Sequence, residues 1–361
     1  MLEIVGMCLI LIVSLFIVIK AADLFVDNIV EIGTVLGVSQ ILLGVTAAAI
    51  GTSLPEFGSA LIASLSGNAE MGVGVVIGSN IWNLAGILGI TATVTGLIQA
   101  DKKSINRDGL MAIITGIVLV VFMIYGFLSG NLEISGFASV VMILVYIYYM
   151  RVLIKDQKKD IENLRSTEEE TAKGKELIEE KDENVPEFEE VTEKKKKPVK
   201  KKSVLFVIGG IIGLAVGCQL LIYSASSLAT TFGIPAAIMG LFTLSIGTSI
   251  PELVVTLSSA MKGLHDISIG TIFGSATFNI LMGIGVPAFI VSVPIETLSL
   301  YFDAPVMLGI YALTLVIMKH NGMKLNRLSG IFLIAFYVAY AFIRIFVLSW
   351  FLSVQLFYKN L

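Results

Sequence analysis

A chain of 361 residues with 56% hydrophobic and only 15% charged residues has too little charge to cover the surface of a soluble protein of that size. Mean hydropathy is +0.90. The net charge of −3 says little about partners; its segregation says more, because much of the charge lies between Arg151 and Lys202 and long stretches elsewhere carry almost none. That pattern excludes a soluble globular enzyme and points to apolar spans in lipid joined by charged turns in water.

The first apolar run, Met1 to Ile19, has no basic leader and no small-residue cleavage site after it, so it reads as a retained helix that can extend through Asp23, Asp27 and Glu31. A membrane-spanning helix needs roughly 20 apolar residues. Runs of that kind follow at 38–64, 71–98, 109–128 and 132–150, and then at 204–229, 235–261, 268–291, 304–319 and 328–352. The chain is therefore expected to be an all-α polytopic membrane protein of about ten transmembrane helices, five on each side of one polar loop. The expected units are residues 1–153, the charged loop 154–203, and residues 204–361.

Every other turn is basic. Lys102, Lys103 and Arg107 follow the third span, Arg151 and Lys155 the fifth, Lys262 the seventh, and Lys319, Lys324 and Arg327 the ninth. The alternate turns, 65–70, 126–133, 231–234 and 292–303, hold no Lys or Arg. By the positive-inside rule the basic turns and the central loop are cytoplasmic and both termini lie outside a cell membrane. Arg344 and Lys359, near the outer end of the tenth span, run against this pattern. The loop is acidic through Glu193 and basic from Lys194, with too few apolar residues to bury a core, so it is expected to be disordered or loosely helical. Cys8 and Cys218 lie inside apolar runs and are expected to be small buried residues; His265 and His320 sit in short polar turns and are expected at the surface.

A rare hexapeptide then recurs. GTSLPE (Gly51–Glu56) returns as GTSIPE (Gly247–Glu252), a shift of 196 positions (from 51 to 247). The same shift carries GSNIWN (Gly78–Asn83) onto GSATFN (Gly274–Asn279), and Gly37, Gly44, Gly67, Gly74 and Gly89 onto glycines. Five spans separate equivalent positions, and five is odd, so the second repeat is inverted relative to the first. Inverted repeats place a shared site near the bilayer midplane.

The motif residues suit such a site. Pro55 and Pro251 have no N–H and clash with the carbonyl four residues back, which is expected to free the carbonyls of Gly51 and Gly247, with those of Ala49 and Ser245 as further candidates. Glu56 and Glu252 follow the prolines directly. Thr52, Ser53, Thr248 and Ser249 precede the glutamates by three to four residues, and Ser79 with Asn83, and Ser275 with Asn279, share a helix face. Hydroxyls, amides and carboxylates without His or Cys are hard donors that suit calcium, with its flexible shell of about 6–8 oxygens, and also sodium. The GxxxG spacings Gly74–Gly78 and Gly270–Gly274 are more simply explained by helix packing, and Ser or Thr can bond their own helix. Two intramembrane carboxylates at symmetric depth are not explained that way.

At these residues the sequence resembles the calcium/cation antiporter superfamily, in its sodium/calcium exchanger branch, and its short loop resembles that of prokaryotic members, which lack large calcium-sensing domains. The resemblance implies ten spans and an antiporter, not an enzyme, that exchanges sodium for calcium. The implied partners are those ions and the lipid bilayer, with no nucleic acid, no cofactor and no obligate protein partner. It also implies a calcium site built on Glu56 and Glu252 with carbonyls at Thr52 and Thr248. Sodium sites would draw on Ala49, Ser53, Ser79, Ser245, Ser249 and Ser275, with Asn83 and Asn279 near the centre. Some relatives carry an aspartate where this chain has Asn279, which bears on potassium dependence. Proton/calcium exchange through the same glutamates is the nearest alternative. A channel is disfavoured by the inverted repeat, and an intramembrane enzyme by the lack of paired aspartates, HExxH or a Ser–His arrangement in the spans. Because the loop has no repeat counterpart, replacing residues 160–195 with a flexible linker is expected to leave ion flux in proteoliposomes intact; loss of flux in a correctly inserted variant would make the loop part of the machinery.

Overall fold

The computed structural model describes residues 2–35, 50–134, 136–175 and 201–348. Among these, eight helices are long and apolar enough to cross a membrane, or nine with one bent pair counted as a single span. They are α1 (Leu2–Val35), α3 (Ala69–Thr95), α4 (Ile105–Leu128), α5 (Gly136–Lys175), α6 (Lys201–Phe232), α9 (His265–Ile290), α10 (Ser299–His320) and α11 (Arg327–Val347), with α7 (Ala236–Thr248) and α8 (Ile250–Met261) as the bent pair. The expected span 38–64 is described only from residue 50, chiefly as α2 (Leu54–Leu65). The helical extension of α1 through Asp23, Asp27 and Glu31 is present.

The motif helices sit at the centre. The apolar windows of α3 and α9 are 89% and 83% buried, against 17% for α1. The flanks of α1 and α6 instead expose Leu9, Phe16, Leu205 and Ile212, as lipid-facing helices do. Cys218 is buried but Cys8 is exposed, contrary to expectation, because it lies on the lipid-side face of α1, where an apolar run signals a span and not a core.

Close packing at the centre depends on missing side chains. A Cβ at Gly74 would stand 2.6 Å from the Ala237 carbonyl, and one at Gly78 would overlap Leu241. In return, Gly240 of α7 leaves no room for a Cβ against the Met71 carbonyl of α3. The first GxxxG is thus a packing device. At Gly270 no such neighbour is found; the repeat counterparts of the Gly74 contact, residues 41–45, lie outside the described residues.

Two short antiparallel strand pairs, absent from the sequence reading, join the halves. β1 (Leu97–Gln99) pairs with β4 (Lys324–Asn326), Ile98 opposite Leu325, and β2 (Glu133–Ile134) pairs with β3 (Val293–Pro294). Each pair takes one strand from each repeat. Strands of two or three residues give no periodic signal to read.

Helix α5 runs for 40 residues, about 60 Å at 1.5 Å per residue, roughly twice the hydrocarbon thickness. The helix therefore carries the first part of the charged loop, to Lys175; residues 176–200 and Lys359 lie outside the described residues.

Arg344 departs from the charge pattern for a structural reason. It is fully buried, with Nε 3.0 and 3.1 Å from the two carboxylate oxygens of Asp303 and a second contact to Glu296. Tyr340 Oη donates to the same Asp303 at 2.9 Å. Its charge is spent inside the protein. Burial raises the Glu296 carboxyl from its ordinary range, while Arg344 opposes that rise. A matching cluster marks the first half, where Arg107 reaches Asp108 at 2.8 Å and Tyr149 donates to it at 3.2 Å. Replacing Arg344 by Leu leaves the Asp303 charge buried and unpaired, a loss of about 3–5 kcal/mol in unfolding measurements in detergent. Adding Asp303→Asn is expected to restore most of it; a single-variant loss below about 1 kcal/mol would mean that the pair is hydrated.

Candidate functional site

The site is built at two helix breaks. Proline in the first turn of α2 and of α8 stops the preceding helix at Ser53 and Ser249, both in a non-helical turn. α7 and α8 meet there at 45°. The turns are partly repaired. Ser249 N–H bonds the Ser245 carbonyl at 3.1 Å, and the N–H groups of the cap also reach the Gly247 carbonyl. The expectation that Gly247 and Ser245 present free carbonyls is therefore corrected: proline removes one donor, and the tightened turn supplies another.

Across the breaks the two repeats exchange hydrogen bonds. Ser53 Oγ of the first donates to Glu252 Oε1 of the second at 2.9 Å, and Ser249 Oγ of the second donates to Glu56 Oε1 of the first at 2.7 Å. Ser275 Oγ adds a longer bond to Glu252 Oε1 at 3.5 Å and lies 3.5 Å from Thr52 Oγ1. All six residues are buried. Four helices converge on them, α2 packing on α3, α8 on α9, and α3 on α9.

The remaining oxygens are left for something other than protein. Glu56 Oε2, Glu252 Oε2, Ser79 Oγ and both side-chain polar atoms of Asn83 and Asn279 are buried with no hydrogen-bond partner among the described residues. Buried polar groups are almost always paired, so the five unpartnered oxygens among these, two of them on carboxylates, suit a cation, while the two amide nitrogens are donors and do not. Asn83 lies in a π-helical turn, Trp82–Ile87, a distortion frequent at functional sites. Thr248 and Ser245 spend their hydroxyl protons on the Leu244 and Leu241 carbonyls, keeping oxygen lone pairs for a cation. No group of three His, Cys, Asp or Glu side chains capable of holding a metal occurs among the described residues. The donors are thus two carboxylates with neutral oxygens around them. Of the twelve residues expected at the site, eleven are buried around the paired breaks or on the two motif helices; Ala49 lies outside the described residues. One supporting residue was missed: Tyr311 Oη donates to Asn80 Oδ1 at 2.5 Å, tying α10 to the motif helix, and a lone tyrosine in an apolar run gives no hint of it.

An inverted pair of broken helices around buried carboxylates defines an integral membrane carrier of cations. The sodium/calcium exchanger protein family matches the chain over residues 7–155 and 202–346. Among similar proteins, the sodium/calcium exchanger MaX1 of Methanosarcina acetivorans is 27% identical, the match covering 94% of this chain and 98% of that one. The inner membrane protein YrbG of Escherichia coli is 30% identical over 82% of this chain and 84% of its own. The structure of the sodium-calcium exchanger NCX_Mj soaked with sodium superposes with a TM-score of 0.59 at 25% identity, covering 93% of this chain and 98% of that one. This chain belongs to the sodium/calcium exchanger family.

If the unpartnered carboxylate oxygens hold a cation, calcium stabilises the folded chain by mass action. The thermal midpoint in detergent is expected to rise with calcium in the parent, and Glu56→Gln or Glu252→Gln each to abolish that rise. A calcium-dependent rise kept in either variant would move the site elsewhere.

Proposed function

We propose that this chain exchanges sodium for calcium by alternating access at one site shared by its two halves. The observation that carries this reading is the reciprocal pair of bonds, Ser53 to Glu252 and Ser249 to Glu56, with one oxygen of each carboxylate left over. Neither half holds a complete site; each glutamate is oriented by the other repeat's serine.

The charge balance favours a divalent ion exchanged for monovalent ones. Two glutamates supply two negative charges where hydration is poor, and an unpaired buried charge costs several kcal/mol. One calcium ion balances them, with hydroxyl and amide oxygens of Ser79, Asn83, Ser275 and Asn279 within the motif helices to complete its shell. Sodium ions sharing the same oxygens balance them as well. An ion-free site keeps two like charges in an apolar slab and resists closure, so the two fluxes are coupled: the protein recrosses the membrane loaded with one cation or the other. By the positive-inside rule, the basic turns favour a cytoplasmic side for the central loop and the C-terminal end of α1.

Asn279 sets the charge at two and not three, so transport is expected to need neither potassium nor a pH gradient. In proteoliposomes an outward sodium gradient is expected to drive calcium uptake with potassium absent. Uptake driven by a pH gradient alone would replace this reading with proton/calcium exchange. Asn279→Asp adds a third carboxylate beside two others, and like charges that close disfavour joint ionisation. The variant's flux is therefore expected to vary more steeply with pH than the parent's; superimposed profiles would contradict the role given to Asn279.

A further inference from the structure

Helix α1 carries Asp23 and Asp27 one turn apart in the half that runs toward the central-loop face. Ser203, at the start of α6, donates to Glu31 at 2.8 Å and fixes that end of α1 beside the loop. Asp23 and Asp27 line a cavity of about 410 Å³ with Lys20, Gly51, Thr52 and Pro251. The cavity therefore reaches both helix breaks at once, since Thr52 precedes Ser53 and Pro251 precedes Glu252. At that inner end lies the network already described: Thr52 lies 3.5 Å from Ser275, Ser275 donates to Glu252, and the second oxygen of fully buried Glu252 has no partner among the described residues.

The repeat supplies an internal comparison. The shift of 196 positions carries Asp23 onto Gln219 and Asp27 onto Tyr223, and these two line a second cavity, of about 340 Å³, beside α6 with Ser66, Asn68 and Ser226. That cavity is lined by neutral residues and its lining includes no residue of either break. It is also bridged, by Ser226 to Asn68 at 3.1 Å and Ser66 to Gln219 at 3.5 Å. The positions equivalent to Asp23 and Asp27 thus carry no charge, and the cavity they line lies away from both breaks.

We propose that the acidic cavity is the route by which cations reach the paired glutamates from the central-loop face, and that Asp27 draws divalent cations into it and sets the apparent calcium affinity on that face. Lys20 pairs with Asp23 at 3.1 Å, so the two largely cancel and Asp27 provides the net negative charge at the mouth. A low-dielectric cavity with a net negative charge at its mouth concentrates cations, and a divalent ion feels the potential twice as strongly as a monovalent one. The inference rests on the exchange reading above.

The test is calcium flux in sided vesicles, with calcium varied on one face at a time. Asp27→Asn is expected to raise the calcium KM on the central-loop face about threefold to tenfold, leaving the maximal rate and the KM on the opposite face unchanged. Asp27→Glu is expected to restore it. Lys20→Gln removes the cancelling charge and is expected to lower the same KM, a change of opposite sign that a packing role for these residues does not produce. Both shifts shrink as salt approaches about 1 M, where the screening length falls to about 3 Å. An unchanged KM in Asp27→Asn, an equal rise on both faces, or a Lys20→Gln variant that does not lower KM overturns the proposal while parental exchange remains. Should Asp27→Asn fail to insert, Lys20→Gln alone decides. Absence of sodium/calcium exchange in the parent overturns the exchange reading instead.

Discussion

Two carboxylates are held at the centre of an apolar slab, and each takes its shortest side-chain hydrogen bond from the other half of the chain. Glu56 accepts from Ser249 and Glu252 accepts from Ser53, so the structure closes around bonds that run from each repeat to the other. Much of the architecture serves that crossing. The prolines stop the helices where serine must turn across. Gly78 and Gly240 let backbones touch so that α3 and α7 bring the two motifs to one depth. The two strand pairs, each with one strand from either half, tie the repeats together away from the site.

The same constraint divides the molecule into a buried centre and a looser margin. α3 and α9, which carry the Ser and Asn donors, are enclosed nearly throughout, whereas α1 and α6 pack mainly against each other. Their contact is a seam of small residues: a Cβ at Gly210 would stand 2.9 Å from Phe25, and one at Gly217 2.8 Å from Val18. α1 nevertheless reaches the breaks through the cavity lined by Asp23, Asp27, Thr52 and Pro251. Charge enters this design sparingly. A half-buried arginine at Asp108 and a buried one at Asp303 each pair with a carboxylate, whereas the glutamates at the breaks are met by serines.

Much of this was legible in the sequence because the site is written twice. A hexapeptide repeated at a fixed shift reveals both the inversion and the paired glutamates, and helix-length apolar runs reveal the spans. What stayed hidden depends on contacts between residues far apart in the chain. Nothing near Arg344 announces Asp303 or Glu296, so a buried ion cluster looks like a stray surface charge. The strand pairs are too short to show a period. Proline predicts a lost donor but not the turn in which another N–H of the cap reaches the Gly247 carbonyl. Cys8 and Cys218 look alike in apolar runs, yet only the packing of α6 against α2, with Cys218 Sγ 3.9 Å from Ser59 Oγ, separates the buried thiol from the exposed one.

The central claim is that one pair of glutamates serves both ions at overlapping positions. Equilibrium binding of radioactive calcium to purified protein, repeated across a sodium titration, tests it most directly. The account predicts a single calcium ion per chain, with an apparent dissociation constant that climbs steadily as sodium rises and a capacity that does not change. Calcium binding that saturating sodium leaves untouched would mean separate sites, and would contradict the account.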